Sequence, residues 1–175
     1  MKFFLLLLVA AIVLCFGCGI RVNTEIPAVK EFDISRYCGK WYEIARLPNW
    51  FQKGMTGVTA HYSLRPDGMV DVVNSGMKNG KKRSISGVAR MVGEPDEGEL
   101  EVSFQWPFWG SYRIIRLEKD YTIAVVCGKS YDYLWILARS PEISLADLNK
   151  ILESLRQRGF DTAKLEFPPH SKKGN

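Results

Sequence analysis

Apolar and polar residues alternate along the chain in short runs separated by turn residues, and the alternation sets in at Trp41. Read as a strand, residues 39–46 put Trp41, Glu43 and Ala45 on one face and Tyr42, Ile44 and Arg46 on the other. A bulky indole followed by a small residue suits the tapering inside of a small barrel, with Trp41 as the floor of a pocket. The strand breaks at Leu47-Pro48-Asn49, where proline removes a ladder donor. Residues 50–55 then read as a long aromatic loop and a candidate lid. Further alternating runs occupy 58–64, 69–74, 85–91, 100–105, 112–117, 122–127 and 133–139. Arg65-Pro66-Asp67-Gly68 is a turn signal, and Asn79-Gly80 marks a hairpin tip. Eight short strands with tight turns predict an all-β antiparallel meander, which loses its exposed edges by closing.

The pattern changes to helical spacing once. Ser144 can cap a helix with Asp147 in the capping-box position; Leu145, Leu148, Ile151, Leu152 and Leu155 form one apolar stripe, and Gly159 stops it. That stripe is expected to pack on the outside of the barrel. Residues 32–38 suit a helical turn before the first strand, and residues 165–167 suit a brief final strand. The expected organisation is a signal over 1–17, a tether over 18–31, the barrel domain over 32–168 and a disordered tail over 169–175.

The amino terminus decides the compartment. Lys2 and the apolar run 3–16 form a secretory signal, too short for a spanning helix. Cys15-Phe16-Gly17-Cys18 resembles a bacterial lipobox, although Cys15 stands where leucine is usual; an ordinary secretory signal is the alternative. Lipidation of Cys18 would supply the acyl chains that stable anchoring requires, and Gly19 in place of aspartate resembles the signal for the outer membrane.

The net charge of +5 changes little: the basic stretch 78–83 is better read as a solvated hairpin tip than as a nucleic-acid patch, and no nucleic-acid partner is expected. Cys38 and Cys127 remain after processing, near opposite ends of a barrel, and are expected to be free thiols. Oligomeric state is left open.

Four segments in order carry a resemblance. They are Gly39-Lys40-Trp41-Tyr42-Glu43-Ile44-Ala45-Arg46, Ala60-His61-Tyr62-Ser63-Leu64, Ala124-Val125-Val126-Cys127-Gly128 and Asp132-Tyr133-Leu134-Trp135-Ile136-Leu137-Ala138-Arg139. Together with the helix after the last strand, the chain resembles the lipocalins, and among them the bacterial ones. The resemblance implies an eight-stranded up-and-down lipocalin β-barrel with one C-terminal α-helix outside it. It assigns Gly39 and Trp41 to the family's first signature and Arg139 to the arginine packed across that indole at the closed end, a structural set.

Counting back from Arg139 by twos points Leu137, Trp135 and Tyr133 inward. The resemblance chooses Ala60 and Tyr62, Val72 and Asn74, Val102 and Phe104, Arg113, and Ala124 and Val126 on the other strands. The candidate ligand-binding residues are therefore Glu43, Ala45, Ala60, Tyr62, Asn74, Phe104, Arg113, Tyr133 and Trp135. An inward carboxylate needs a partner, so Glu43 is expected against Arg113, Asn74, Tyr62 or Tyr133. Either this polar set meets a lipid head group, or an internal bond from Glu43 merely fixes the barrel.

Trp50-Phe51 and Trp106-Pro107-Phe108-Trp109 should share the open rim, either as a greasy mouth or as rings folded inward. Cys127 should face outward, away from His61 and His170, and two histidines with two scattered cysteines make no metal site; no enzyme, metal or cofactor is expected. The expected function is a lipid-anchored outer-membrane carrier of fatty acids, lysophospholipids or phospholipids. The alternatives are a carrier of haem or pigment, or a structural lipoprotein with a filled barrel.

Overall fold

The computed structural model describes residues 26–170. The predicted signal, the Cys18 lipidation site and the tail from Ser171 lie outside the described residues. Eight antiparallel strands close into one barrel in chain order: β1 (Gly39–Arg46), β2 (Thr56–Leu64), β3 (Val70–Lys78), β4 (Lys81–Met91), β5 (Glu99–Gln105), β6 (Phe108–Leu117), β7 (Ile123–Cys127) and β8 (Leu134–Ala138). A short helix, α1 (Ile34–Tyr37), enters β1, and α2 (Leu145–Gln157) follows β8. Asp33 caps α1 through Ser35 N, and the Ser144 side chain accepts from Asp147 N at the start of α2, as the capping pattern predicts.

Two apolar layers result. One lies inside the barrel, with Trp41, Val72, Leu100, Ile114, Val126 and Leu137. The other lies between the outer wall and α2, where Val125, Cys127, Ile136 and Ala138 meet Ile151 and Leu155. Cys38 and Cys127 are free, and Cys127 belongs to the outer layer.

The third hairpin tip shows why local chemistry sets the turn. Asn79 and Gly80 both have positive φ, at 53° and 71°, the requirement of a two-residue turn whose twist matches its strands. Pairing therefore runs uninterrupted from Val70 with Ala89 to Lys78 with Lys81, and these strands are longer than the alternation suggested.

Other expectations change. Residues 165–167 do not make a strand; a single bridge joins Arg46 to Glu166. Residues 26–31, expected as part of the tether, lie along the barrel wall. Val29 N donates to Ile114 O, Gly98 N donates to Val29 O, and Ile26 is buried.

A bulge matters most. Opposite β8 the register slips between Glu43 and Ala45, so Glu43 faces Leu137 while Ala45 faces Ile136 and Arg46 faces Trp135. One extra residue reverses the faces beyond it. Ala45 thus sits in the outer layer under α2, and Arg46 turns into the barrel, the opposite of the expected assignment for both.

Candidate functional site

The closed end is built around Trp41 and Arg139. The Arg139 guanidinium carbon lies 3.9 Å from the centre of the Trp41 indole. Its N–H groups donate to the carbonyls of Arg36, Tyr37, Cys38, Lys40 and Tyr121. Trp41 Nε1 donates to Tyr37 O at 2.8 Å, so α1 is pinned across the barrel floor. Gly39 has φ of 96°, and a Cβ there would stand 3.2 Å from Arg139 Nη1. Both features favour glycine.

Above this floor the lining is mostly apolar and graded in access. Trp41, Val70, Val72, Ile114, Ala124 and Val126 are at most 2% exposed. Ala60, Asn74, Val102, Phe104 and Trp135 are half-buried, and Tyr133 is exposed. The inner wall is therefore reached from the mouth and closed below.

Three tyrosine hydroxyls meet inside. Tyr112 OH lies 2.6 Å from Tyr37 OH and 2.9 Å from Tyr62 OH. Burial pushes the Tyr62 hydroxyl up to about 12 and raises Tyr37 and Tyr112 well above the usual phenol value, so all three are neutral donors. Two hydrogen bonds engage two of the three hydroxyl protons and leave one for another acceptor. The buried Asn74 Oδ1 has no hydrogen-bond partner among the described residues.

The charged groups are already satisfied. Arg46 Nη1 donates to Glu43 Oε1 at 2.6 Å, and Gln52 Nε2 donates to Glu43 Oε2 at 2.6 Å. Gln52 Oε1 accepts from Asn49 Nδ2 at 2.8 Å and from Trp135 Nε1 at 2.9 Å. The remaining Arg46 N–H groups reach the Gln52 and Met55 carbonyls and Glu166. Burial raises the Glu43 carboxyl, while Arg46 and Gln52 oppose the rise. Residues 47–55 are therefore latched over the mouth through Gln52.

The partner expected for Glu43 was different. Arg113 points to the outer wall, where it pairs with Glu99 and donates to Ile26 O. The neighbouring Tyr112 takes the inward position, and Arg113 leaves the lining for a simple reason of phase: Tyr112 and Ile114 are the inward pair of β6. Asn74, Tyr62 and Tyr133 make no hydrogen bond to Glu43. Arg46, Gln52 and Tyr37 are lining residues that counting by twos missed, and Tyr112 is the one that the resemblance passed over. Only Tyr112, apolar in phase with Ile114, left a signal that could have been used. Cys127 lies beneath α2, and burial pushes its thiol up to about 11, which removes the thiolate a nucleophile needs.

The family model for a lipocalin-like domain matches residues 32–170. The chain belongs to the lipocalin family. This lipocalin is 38% identical to the outer membrane lipoprotein Blc of Vibrio cholerae over 91% of this chain and 95% of that one. It is 43% identical to the protein of the same name from Escherichia coli, covering 79% of this chain and 80% of that one. A plant relative, temperature-induced lipocalin-1 of Arabidopsis thaliana, is 35% identical over 84% of each. The solved structure of insecticyanin from Manduca sexta superposes with a TM-score of 0.70 over 85% of this chain and 86% of that chain, at 21% identity, a likeness of fold. As a lipocalin the chain is a hydrophobic-ligand-binding protein, and the graded inner wall is its candidate site.

Proposed function

We propose that the chain is a lipoprotein of the outer membrane that carries one amphipathic lipid, a fatty acid, lysophospholipid or phospholipid, for storage, transport or membrane maintenance. The observation that carries this reading is the graded lining: mostly apolar and less buried toward the mouth, with its only inward ion pair, among the described residues, satisfied by protein. A hydrocarbon chain entering tail first meets Trp135, Phe104, Val102 and Ala60, and no free charge opposes it. The head group stays at the mouth, where water receives it. The relatives named as outer membrane lipoproteins support the location, and Cys18 is the residue that would bear the acyl chains.

Mass spectrometry of lipid extracted from gently purified protein tests the reading. One amphipathic lipid per chain is the expected result. An empty extract together with no binding of lysophospholipid overturns it, as does a bound haem or pigment. For the anchor, Cys18→Ser should release the protein from membranes on fractionation; continued sedimentation with membranes places the anchor elsewhere.

A further inference from the structure

The mouth bears a surface that the lining does not use. In a closed antiparallel barrel alternate connections share one end, so those between β1 and β2, β3 and β4, β5 and β6, and β7 and β8 all stand at the mouth. They raise Trp50, Phe51, Trp106 and Phe108, which are 82%, 45%, 79% and 71% exposed. The same connections and the strand ends next to them carry Lys53, Lys78, Lys81, Lys82, Arg83 and Lys129. Among the described residues no carboxylate is within ion-pair range of any of the six. The acids at this end are committed: Asp132 accepts from Ser130, and Glu43 and Glu166 are bound to Arg46. The opposite end mixes signs: Glu94, Asp96 and Glu97 share one connection and Glu118, Lys119 and Asp120 another, and Glu97 pairs with Lys30, Glu118 with Arg116 and Asp67 with Arg65.

Two further observations tie this surface to lipid. The rings form a column leading inward: Trp50 to Phe51 at 5.6 Å between centroids, Phe51 to Tyr133 at 6.4 Å, and Tyr133 to Trp135 at 6.2 Å, where the half-buried lining begins. Toward the amino terminus of Phe32 the chain runs along the wall. From Phe32, whose N–H reaches Asp96 O, it passes Ile114 at Val29 and meets Arg113 at Ile26, heading toward the mouth.

We propose that the open end of the barrel docks on an anionic phospholipid surface. The rings occupy the interfacial region, the basic tip of the β3–β4 hairpin meets the phosphates, and the column from Trp50 to Trp135 joins the bilayer to the calyx. Indole and phenyl rings favour the headgroup boundary, and each basic side chain near an anionic surface adds attraction. A neutral apolar partner would leave the six cations unsatisfied. A second copy could offer the acids of its closed end, but Glu97 and Glu118 are already ion-paired and the connections 92–98 and 118–122 expose no large apolar residue to receive the rings. The proposal concerns a surface outside the calyx and does not depend on which ligand fills it.

The full chain, reconstituted with vesicles of phosphatidylcholine alone or mixed with phosphatidylglycerol, is probed by tryptophan quenching from lipids brominated in the acyl chains. Quenching should be at least about twofold stronger on the anionic vesicles and should fall to the neutral level in high salt. Joint Lys78→Glu, Lys81→Glu, Lys82→Glu and Arg83→Glu substitution should abolish the difference while the purified protein keeps its bound lipid. Trp50→Phe with Trp106→Phe should remove most of the quenched emission. If the charge-reversed variant fails to fold by circular dichroism, lipid composition and salt on the unaltered protein still decide. Equal quenching on both vesicles overturns the proposal, because an acyl anchor alone predicts it. So does a dimer that dissolves on charge reversal and shows no quenching, which would assign the mouth to a second copy.

Discussion

Arg46 Nη1 donates to Glu43 Oε1 across 2.6 Å inside the barrel, and each side chain is 3% exposed. On a regular strand residues three apart face opposite sides, so this pair exists only because the register slips between Glu43 and Ala45. Removing one partner leaves a buried charge uncompensated. Arg46→Met should cost about 3–5 kcal/mol in urea denaturation, and adding Glu43→Leu should recover most of it. The single variant should also speed amide exchange in residues 47–55, since Arg46 holds the Gln52 and Met55 carbonyls.

The same pair sets a pH dependence. Burial raises the folded Glu43 carboxyl above the ordinary 4.5, so between that value and the raised one the folded protein holds more protons than the unfolded chain. Stability from this group then falls as pH rises through the window and is flat below it. Subtracting the Glu43→Gln profile from that of the unaltered protein should isolate a negative slope just above pH 4.5. A positive slope there would mean that Arg46 outweighs burial.

Tyr112 is the centre of the hydroxyl trio, and its removal affects both neighbours. Tyr112→Phe leaves the buried Tyr37 and Tyr62 hydroxyls without each other's bridge, at about 1–3 kcal/mol. Tyr37→Phe breaks one bond only and should cost less. A double-mutant cycle on Tyr37 and Tyr112 should return a coupling of about 0.5–3 kcal/mol, and none if the hydroxyls act independently.

The fold was legible because closed meanders advertise themselves: short alternating strands, an Asn-Gly tip and one amphipathic helix leave few other architectures. The floor was legible too, since Trp41 opens the first strand of that pattern and Arg139 ends the last. The site was legible only where the period held. A bulge adds one residue without any mark in composition, so Ala45 and Arg46 exchanged faces; on β6 the phase was set by likeness and came out one residue late, at Arg113 for Tyr112. Gln52 and Tyr37 reach the interior from a loop and a helical turn, where alternation carries no information about direction.

Arg139→Lys tests the clasp at the floor. A lysine keeps the charge but cannot lie flat over Trp41 while donating to five carbonyls. The expected loss is about 2 kcal/mol or more in unfolding free energy, with lysophospholipid affinity unchanged once the protein is folded. Full rescue by lysine would reduce the role of Arg139 to charge alone.

Two alanines separate the lining from its outer support. Ala60 is half-buried, faces inward and pairs with Trp41 and Asn74, so the side chain of Ala60→Trp would grow into the accessible part of the calyx. It should lower binding of a lysophospholipid or fluorescent fatty acid at least about tenfold, because the hydrocarbon loses the space it needs, with little loss of stability. Ala45 is fully buried on the other face, under α2. Ala45→Trp therefore overpacks the outer layer, at about 1–3 kcal/mol, and should leave affinity unchanged in the folded fraction. If Ala45→Trp instead blocked ligand while Ala60→Trp did not, the register of β1 against β8 would be that of an unbroken strand and the bulge would not exist in solution.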